Sequence, residues 1–282
     1  MLTPSNGLSL SPSRRDPRRS RTANVGAVAA ALVGGLVVLS VAIAEEPCFP
    51  AWTDAGASLL PGSHSSPVLL DMAEFDPDGP GPLERSLTVS GTFRFVDAPA
   101  RNSIAKWNGY GWEDVGTTTA GPNPGQSIIY ALREGPDVAR TDGRRALYAA
   151  GTFRTINGVQ ANLVAKWDGA QWTSFAALPD VVVWALTIHD FDGPSGPLPP
   201  RLVIGGVLVG GPTNTLPGVR YWDGADWQPV GGSSRCHVKG LTSFDPDGDG
   251  PLPSRLFASR HTVADGQDGI AEIGRASCRE RV

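Results

Sequence analysis

Short apolar runs, separated by turns rich in glycine, proline and aspartate, recur along most of the chain. The clearest phrase begins with Val164-Ala165-Lys166-Trp167, continues with Asp168-Gly169 and starts a second run at Trp172. Asp-Gly and Asn-Gly supply the positive φ angles of tight turns, so this phrase predicts a hairpin of two antiparallel strands. Three copies of the phrase occur, at 104–112, 164–172 and 219–227.

Two further apolar runs precede each tryptophan hairpin. The nearer run ends in small residues, and its last glycine lies 16 residues before the first tryptophan in every copy: Gly91 to Trp107, Gly151 to Trp167 and Gly206 to Trp222. The copies of the farther run are 68–75, 128–132, 181–188 and 238–244. A constant spacing across changing sequence predicts a shared backbone path, so each unit is expected to hold four strands, a to d. The fourth copy is expected to end after strand b, at 256–259.

Units of 55–60 residues with four short antiparallel strands are typical of β-propeller blades. We therefore predict an all-β fold, an incomplete β-propeller of about three and a half repeats, preceded by a helical signal peptide. Trp52 lies 60 residues before Trp112, so 51–55 is predicted to be an isolated strand d that closes a ring. The predicted segments are the signal peptide 1–44, an N-terminal segment 45–66, blades at 67–126, 127–180 and 181–235, a truncated blade 236–271, and a tail 272–282.

The order of small-residue strand, aromatic strand, turn and tryptophan strand resembles the kelch repeat over about 67–260. It is also similar to the W-D-G-x-x-W repeats of secreted bacterial proteins. The chain departs from the kelch pattern in its shorter c–d turn and in having Trp107, Trp167 and Trp222 where tyrosine is usual. The glycine pair of strand b is complete only at Gly205-Gly206. The resemblance implies a propeller and indicates no particular activity.

Sequence patterns at the two ends of the chain indicate a cleaved segment and a non-native tail, and neither is expected to be part of the folded domain. Arginines between 14 and 21 precede an uncharged apolar run from Val25 to Ala44, and Ala42 and Ala44 match an A-x-A cleavage site. This pattern predicts an export signal, and the alternative is an uncleaved membrane anchor. Residues 272–282 resemble the translation of a widely used sequencing adapter, so we expect this tail to be non-native and the natural chain to be cut near Ala271.

The charge of the part between these ends narrows the choice of partner. Residues 45–271 contain 16 basic and 25 acidic residues, a net charge of −9. An acidic protein of this kind is not expected to bind nucleic acid or an anionic membrane surface. It would contact a membrane only through an uncleaved N-terminal segment. Cys48 and Cys236 remain in this part, and two thiols of an exported chain are able to pair.

One loop suggests a metal. Asp245, Asp247 and Asp249 alternate as in the first half of a calcium loop, with Gly248 for the turn. A twelve-residue calcium loop ends in an acid, whereas Leu256 stands at that position, and Pro and Gly make the segment a good turn without metal. Calcium is the sole cofactor candidate, and none other is predicted.

Motifs of catalysis are missing from the sequence. It contains no G-x-S-x-G, H-E-x-x-H or phosphate-loop pattern, and no two histidines have metal-ligand spacing. The paired tryptophans are suited either to a sugar platform or to a core, and their fixed positions at strand ends favour a core. The sequence therefore predicts an exported, non-catalytic propeller scaffold, secreted, periplasmic or at the cell surface, that binds protein or glycan partners. The alternative is a secreted glycoside hydrolase or oxidase whose site lies partly in missing blades.

Overall fold

The computed structural model describes residues 29–33, 36–40, 59–61, 68–95, 102–119, 127–178, 182–207, 218–230, 236–248, 252–262 and 268–273. Every regular element within these ranges is a β-strand, which confirms the all-β class. By their internal contacts the residues fall into two units, 1–53 and 54–282.

The first unit contains one hairpin. Its strands β1 (Ala29–Val33) and β2 (Leu36–Ser40) pair antiparallel, with Val33 opposite Leu36. A helical signal peptide was expected in this region; the two described segments are extended, and valine and leucine favour extended backbone. Ala42 and Ala44 lie outside the described residues, so the export signal, its cleavage and the anchor alternative stay predictions.

The second unit begins with a sheet that we call sheet 1. It contains β3 (Leu59–Pro61), β4 (Val68–Phe75), β5 (Ser86–Phe95), β6 (Asn102–Trp107) and β7 (Trp112–Gly116). β4 to β7 form an antiparallel meander, and β3 pairs with the far end of β5. The strand predicted at 51–55 and Cys48 lie outside the described residues, whereas β3 has no counterpart in the sequence analysis.

Sheet 2 repeats the same four-stranded meander. A short strand β8 (Thr118–Thr119) leads into β9 (Ile129–Pro136) and β10 (Arg145–Gly151). β11 (Thr155–Ile156) and β12 (Val159–Gln160) follow, then β13 (Val164–Trp167) and β14 (Trp172–Ser174). Strands β9, β10, β13 and β14 form the sheet, while β8, β11 and β12 form a small sheet of their own.

Sheets 3 and 4 continue the pattern. Sheet 3 consists of β15 (Val182–His189), β16 (Arg201–Val207), β17 (Val219–Trp222) and β18 (Trp227–Pro229). Sheet 4 consists of β19 (Cys236–Phe244), β20 (Arg255–Thr262) and β21 (Asp268–Ile273). Several antiparallel sheets of four strands are thus confirmed.

The third strand of sheet 4 corrects the expectation that this copy ends after strand b. Ile273 pairs with Leu256, as Trp107 pairs with Leu87 and Trp167 with Leu147. The tryptophan that marks strand c elsewhere is an isoleucine here, which hid the strand from the sequence pattern. Glu272 and Ile273, assigned above to the tail, are part of this strand.

The turn inside each tryptophan hairpin follows one design. The two tryptophans lie directly opposite each other, as at Trp167 and Trp172, and four residues connect them. Asp168 Oδ1 accepts hydrogen bonds from the N–H groups of Ala170 (2.9 Å) and Gln171 (2.7 Å), and Gly169 has φ 101°. Positive φ is therefore confined to the glycine of the pair, because the side chain of the preceding Asp or Asn takes up the turn's free N–H groups.

Buried side chains lie mainly between consecutive sheets. One core joins Phe75 and Ile104 of sheet 1 to Ile129 and Leu147 of sheet 2. Two more lie between sheets 2 and 3 and between sheets 3 and 4. The strands that begin the meander of each sheet are β4, β9, β15 and β19, and we call them the first strands. They are neighbours in that order. The second unit is therefore a series of sheets packed face to face in chain order.

Candidate functional site

A pair of tryptophans from one sheet packs on the preceding sheet at two successive boundaries. Trp172 Nε1 of sheet 2 donates a hydrogen bond to the Val115 carbonyl of sheet 1 (2.9 Å). Trp227 Nε1 of sheet 3 donates in the same way to the Ala176 carbonyl, which follows β14 of sheet 2 (3.1 Å). Trp172 and Trp227 are buried, as expected for core residues.

Aromatic side chains fill the boundary between sheets 2 and 3. The Phe175 ring contacts Trp222 edge to face, with centroids 5.0 Å apart, and also lies against Trp227 and Tyr148. The Tyr148 hydroxyl donates to the Pro136 carbonyl (2.7 Å) and accepts from the Val138 N–H (2.8 Å). Burial raises the pKa of Tyr148, so its hydroxyl stays neutral and able to donate.

The boundary between sheets 1 and 2 has smaller residues at the matching positions. Thr88 stands opposite Lys106 in sheet 1, as Tyr148 stands opposite Lys166 in sheet 2. Val115 follows Trp112 by three residues, as Phe175 follows Trp172. Thr and Val occupy less volume than Tyr and Phe, but Phe75 stands where sheet 2 has Gly135, so the two boundaries are filled by side chains of different strands.

The lysine of strand c has a different partner in the two sheets. Lys166 forms a buried ion pair with Asp137 (2.7 Å), with side-chain exposures of 12% and 1%. The strand pairing shows which residue of sheet 1 corresponds to Asp137. Gly135 of sheet 2 and Phe75 of sheet 1 pair with equivalent residues of the next strand, Ala146 and Ser86. Two residues farther along the chain, Asp137 therefore corresponds to Pro77. Sheet 1 thus has a proline where sheet 2 has the acid.

Lys106 turns instead to the surface of sheet 1. Its ammonium lies 3.1 Å from Glu113 Oε2, and the side-chain amide of Asn108 donates to Glu113 Oε1. The hydrogen bond from Asn108, followed by that from Lys106, holds the pKa of Glu113 below its usual range. Glu113 is therefore ionised at neutral pH and is held between an amide and a cation.

An open cavity of about 230 Å³, which we call the Trp167 cavity, lies between sheets 1 and 2. Phe75, Leu83 and Trp167 contribute apolar lining, and Lys106, Asn108 and Glu113 contribute polar lining. Glu84 and Arg85 also reach it, so its charged side chains are two acids and two bases. Trp167, Lys106 and Asn108 belong to the hairpin phrase identified in the sequence, whereas Leu83 and Glu113 were not singled out there.

The predicted calcium loop contains carboxylates that complete their own turn. Asp245 Oδ1 accepts from the Asp247 N–H (3.2 Å), and Asp247 Oδ2 accepts from the Leu252 N–H (3.0 Å). Asp249 lies outside the described residues. Among the residues that are described, no group of three or more histidines, cysteines or acids is arranged to hold a metal ion. Calcium at Asp245, Asp247 and Asp249 stays a prediction.

A serine and a histidine meet between sheets 3 and 4. His189 Nδ1 lies 2.8 Å from Ser243 Oγ, and the ring packs edge to face on Phe191 with centroids 4.7 Å apart. Burial lowers the pKa of His189, and the charge of Asp190 opposes this shift. Among the described residues, no carboxylate accepts a hydrogen bond from this ring, so the orienting acid of a catalytic triad is missing there.

A larger cavity of about 460 Å³ lies along the first strands of sheets 1 and 2. Its charged side chains are already paired: Arg85 with Glu74 (2.9 Å) and Arg145 with Glu134. It therefore offers a ligand no unpaired cation of these two sheets.

Comparison of the chain with models of protein families, with curated protein sequences and with solved structures finds no match. The part of the chain that the structure describes has no helix with the length and apolar composition that crossing a bilayer requires.

Proposed function

We propose that this chain is part of an exported, non-catalytic β-propeller of kelch-like type that binds protein or glycan partners at the cell surface. The observation that carries the fold is the packing of four antiparallel sheets face to face, with their first strands side by side. Propeller blades pack in this way around a central axis, each with its first strand innermost.

Apolar surface at both ends of the sheet series supports closure by further blades. Met72 of sheet 1 is 62% exposed and Ile270 of sheet 4 is 80% exposed, and Leu69 and Phe244 are also exposed. Apolar side chains clustered on sheet faces indicate surfaces that another element covers in the complete assembly. A ring covers both faces at once and removes the open edge strands.

The binding role rests on what the described surface offers. The Trp167 cavity combines aromatic and hydrogen-bonding groups, whereas the Ser243–His189 contact lacks an orienting carboxylate. The acidic balance of residues 45–271 favours partners other than nucleic acid.

Two measurements on the protein purified from its host test this proposal. N-terminal sequencing should find a mature chain that begins at Glu45, and a cytoplasmic chain that retains Met1 would contradict export. Incubation with chromogenic glycosides and with alcohol and sugar oxidase substrates should give no turnover, while immobilised glycans or cell-surface fractions should retain the protein saturably. Turnover that is lost on heat denaturation would replace the binding role with the enzyme alternative.

A further inference from the structure

We propose that the Trp167 cavity is a binding site for one neutral sugar ring, a pyranose at the end or side of a glycan. This inference rests on the proposed binding role and deepens it by naming the site and the class of ligand. It starts from the lining of the cavity, which combines aromatic rings of sheets 1 and 2 with polar side chains of sheet 1.

The cavity has the two kinds of surface that a sugar ring needs. A pyranose presents C–H groups on its faces, which pack on aromatic rings, and hydroxyl groups around its edge, which need donors and acceptors. Trp167 and Phe75 supply the apolar part of the lining, and Lys106, Asn108 and Glu113 supply donors and an acceptor. Ligand sites combine such apolar walls with a few placed polar groups.

The polar groups are held in place before any ligand arrives. Glu113 accepts from Asn108 and pairs with Lys106 at 3.1 Å, and Asn108 Oδ1 accepts from the N–H groups of Tyr110 and Gly111 (both 2.9 Å). The tryptophan turn thus fixes Asn108, and Asn108 orients the carboxylate. Such preorganisation lowers the entropy that binding loses.

Charge and size select the ligand. The charged lining residues are Glu84, Arg85, Lys106 and Glu113, which sum to zero, and Arg85 already pairs with Glu74 and Asp76. A neutral ligand suits this balance better than an acidic sugar. The volume of about 230 Å³ lies below the ~300–1,000 Å³ of drug-sized sites. It therefore fits a single ring and excludes an extended chain.

The cavity differs from a simple packing defect because Lys106 of sheet 1 lines it. In sheet 2 the lysine at this position is neutralised inside the boundary by Asp137, and in sheet 1 Pro77 removes that partner. A void left by lost side chains alone is apolar and dry. Here six polar or charged side chains line the space, and the mouth is open to solvent.

The experiment titrates the full chain with the methyl glycosides of glucose, galactose, mannose and N-acetylglucosamine, followed by tryptophan fluorescence and calorimetry. At least one should bind at a single site, with a dissociation constant of about 1 mM, as expected for so small a ligand. Ser86 lines the cavity and is only partly buried, so S86F places a ring in the cavity and should abolish binding, while S86A should retain it.

A second variant guards against misfolding of S86F. E113Q alters an exposed side chain and should weaken binding about 10-fold, which corresponds to one hydrogen bond to a charged group. T173V changes the matching residue after Trp172 in sheet 2 and should leave affinity unchanged. Failure of all four glycosides to bind, or equal binding by a folded S86F, would overturn the site. Retention on immobilised partners would then still support the binding role, whereas glycoside turnover would contradict that role itself.

Discussion

The boundary between sheets 2 and 3 is filled by aromatic side chains, whereas the boundary between sheets 1 and 2 keeps an open cavity, although both use the same paired tryptophans. Trp172 and Trp227 each donate to a carbonyl of the preceding sheet, and the acceptors Val115 and Ala176 lie three and four residues after the second tryptophan of that sheet. The side chains differ as well, since sheet 1 has Phe75, Pro77, Thr88 and Val115 where sheet 2 has Gly135, Asp137, Tyr148 and Phe175.

This comparison separates the residues that a repeat needs for stacking on its neighbour from the residues that differ between boundaries. The tryptophan pair and the small-residue strand are shared, and they set the distance between sheets. Side chains that point into the boundary are free to vary, because a space next to solvent costs less than a void in a sealed core. A repeat can therefore acquire a cavity without losing its fold.

The largest expected effect comes from breaking the ion pair inside the filled boundary. D137N removes the charge that faces Lys166 but keeps the side-chain shape, so an almost buried ammonium loses its partner. Breaking one side of a buried pair costs about 3–5 kcal/mol, and we expect urea unfolding to show a loss of this size.

The matched control is the lysine pair at the open boundary. Lys106 and Glu113 are 38% and 45% exposed, and exposed pairs contribute ~0–1 kcal/mol. E113Q should therefore change the free energy of unfolding by less than about 1 kcal/mol. Equal losses in D137N and E113Q would mean that the two boundaries do not differ in burial.

Much of this architecture was predictable from the sequence, because it depends on local signals. The all-β class and the tryptophan hairpins follow from turn residues at fixed spacing. The hairpin of β11 and β12 also had its signal, Asn157-Gly158, with φ angles of 46° and 78°. Its two-residue strands are too short for a periodic pattern to mark them.

The cavity was less accessible to sequence reasoning because it arises from residues on separate elements. Phe75, Leu83 and Glu113 are unremarkable one by one, and they line a cavity only because the next sheet places Trp167 beside them. Ile273 shows the same limit in another form. Its strand is defined by pairing with Leu256, while its sequence lacks the tryptophan that marks strand c elsewhere.

The second prediction transfers the open boundary into the filled one. Y148T places in sheet 2 the residue that sheet 1 has at this position, and it removes a fully buried ring together with its two hydrogen bonds. Large-to-small changes of buried aromatic residues cost about 3–5 kcal/mol, and we expect about 3 kcal/mol because Thr retains part of the volume. T88Y, the reverse change, enlarges a buried side chain in a sheet that already has Phe75 in place of Gly135, so overpacking should cost about 1–3 kcal/mol. An unchanged free energy of unfolding in T88Y would show that the boundary between sheets 1 and 2 has spare volume at this position.

The third prediction uses two glycines that occupy the same turn position. Gly169 and Gly224 have φ angles of 101° and 113°, so alanine is strained at both. A Cβ at Gly169 would lie 3.1 Å from the Cβ of Pro77, whereas one at Gly224 meets nothing within 4 Å. G224A should cost about 1–2 kcal/mol from backbone strain alone. G169A should cost about 1 kcal/mol more, since overpacking adds to the strain. Equal urea midpoints for G169A and G224A would mean that a side chain at 169 does not clash with Pro77 of sheet 1.

The smallest expected effect concerns the boundary between sheets 3 and 4, where a polar contact replaces both the aromatic filling and the cavity. Burial lowers the pKa of His189 in the folded protein, with the charge of Asp190 opposing the shift, so the unfolded chain binds the proton more tightly. The stability that this neutral ring contributes is therefore present above the unfolded pKa of 6.5 and decreases as the pH falls from there towards the folded pKa. Urea midpoints measured between neutral and mildly acidic pH should fall more steeply for the wild type than for H189N, which keeps a polar side chain near Ser243 but does not titrate. The other three histidines are identical in both proteins, so any contribution they make cancels in the difference. Parallel pH profiles of the two proteins would mean that His189 keeps its proton equally well in the folded and unfolded chain, and that the third boundary is not a dry one.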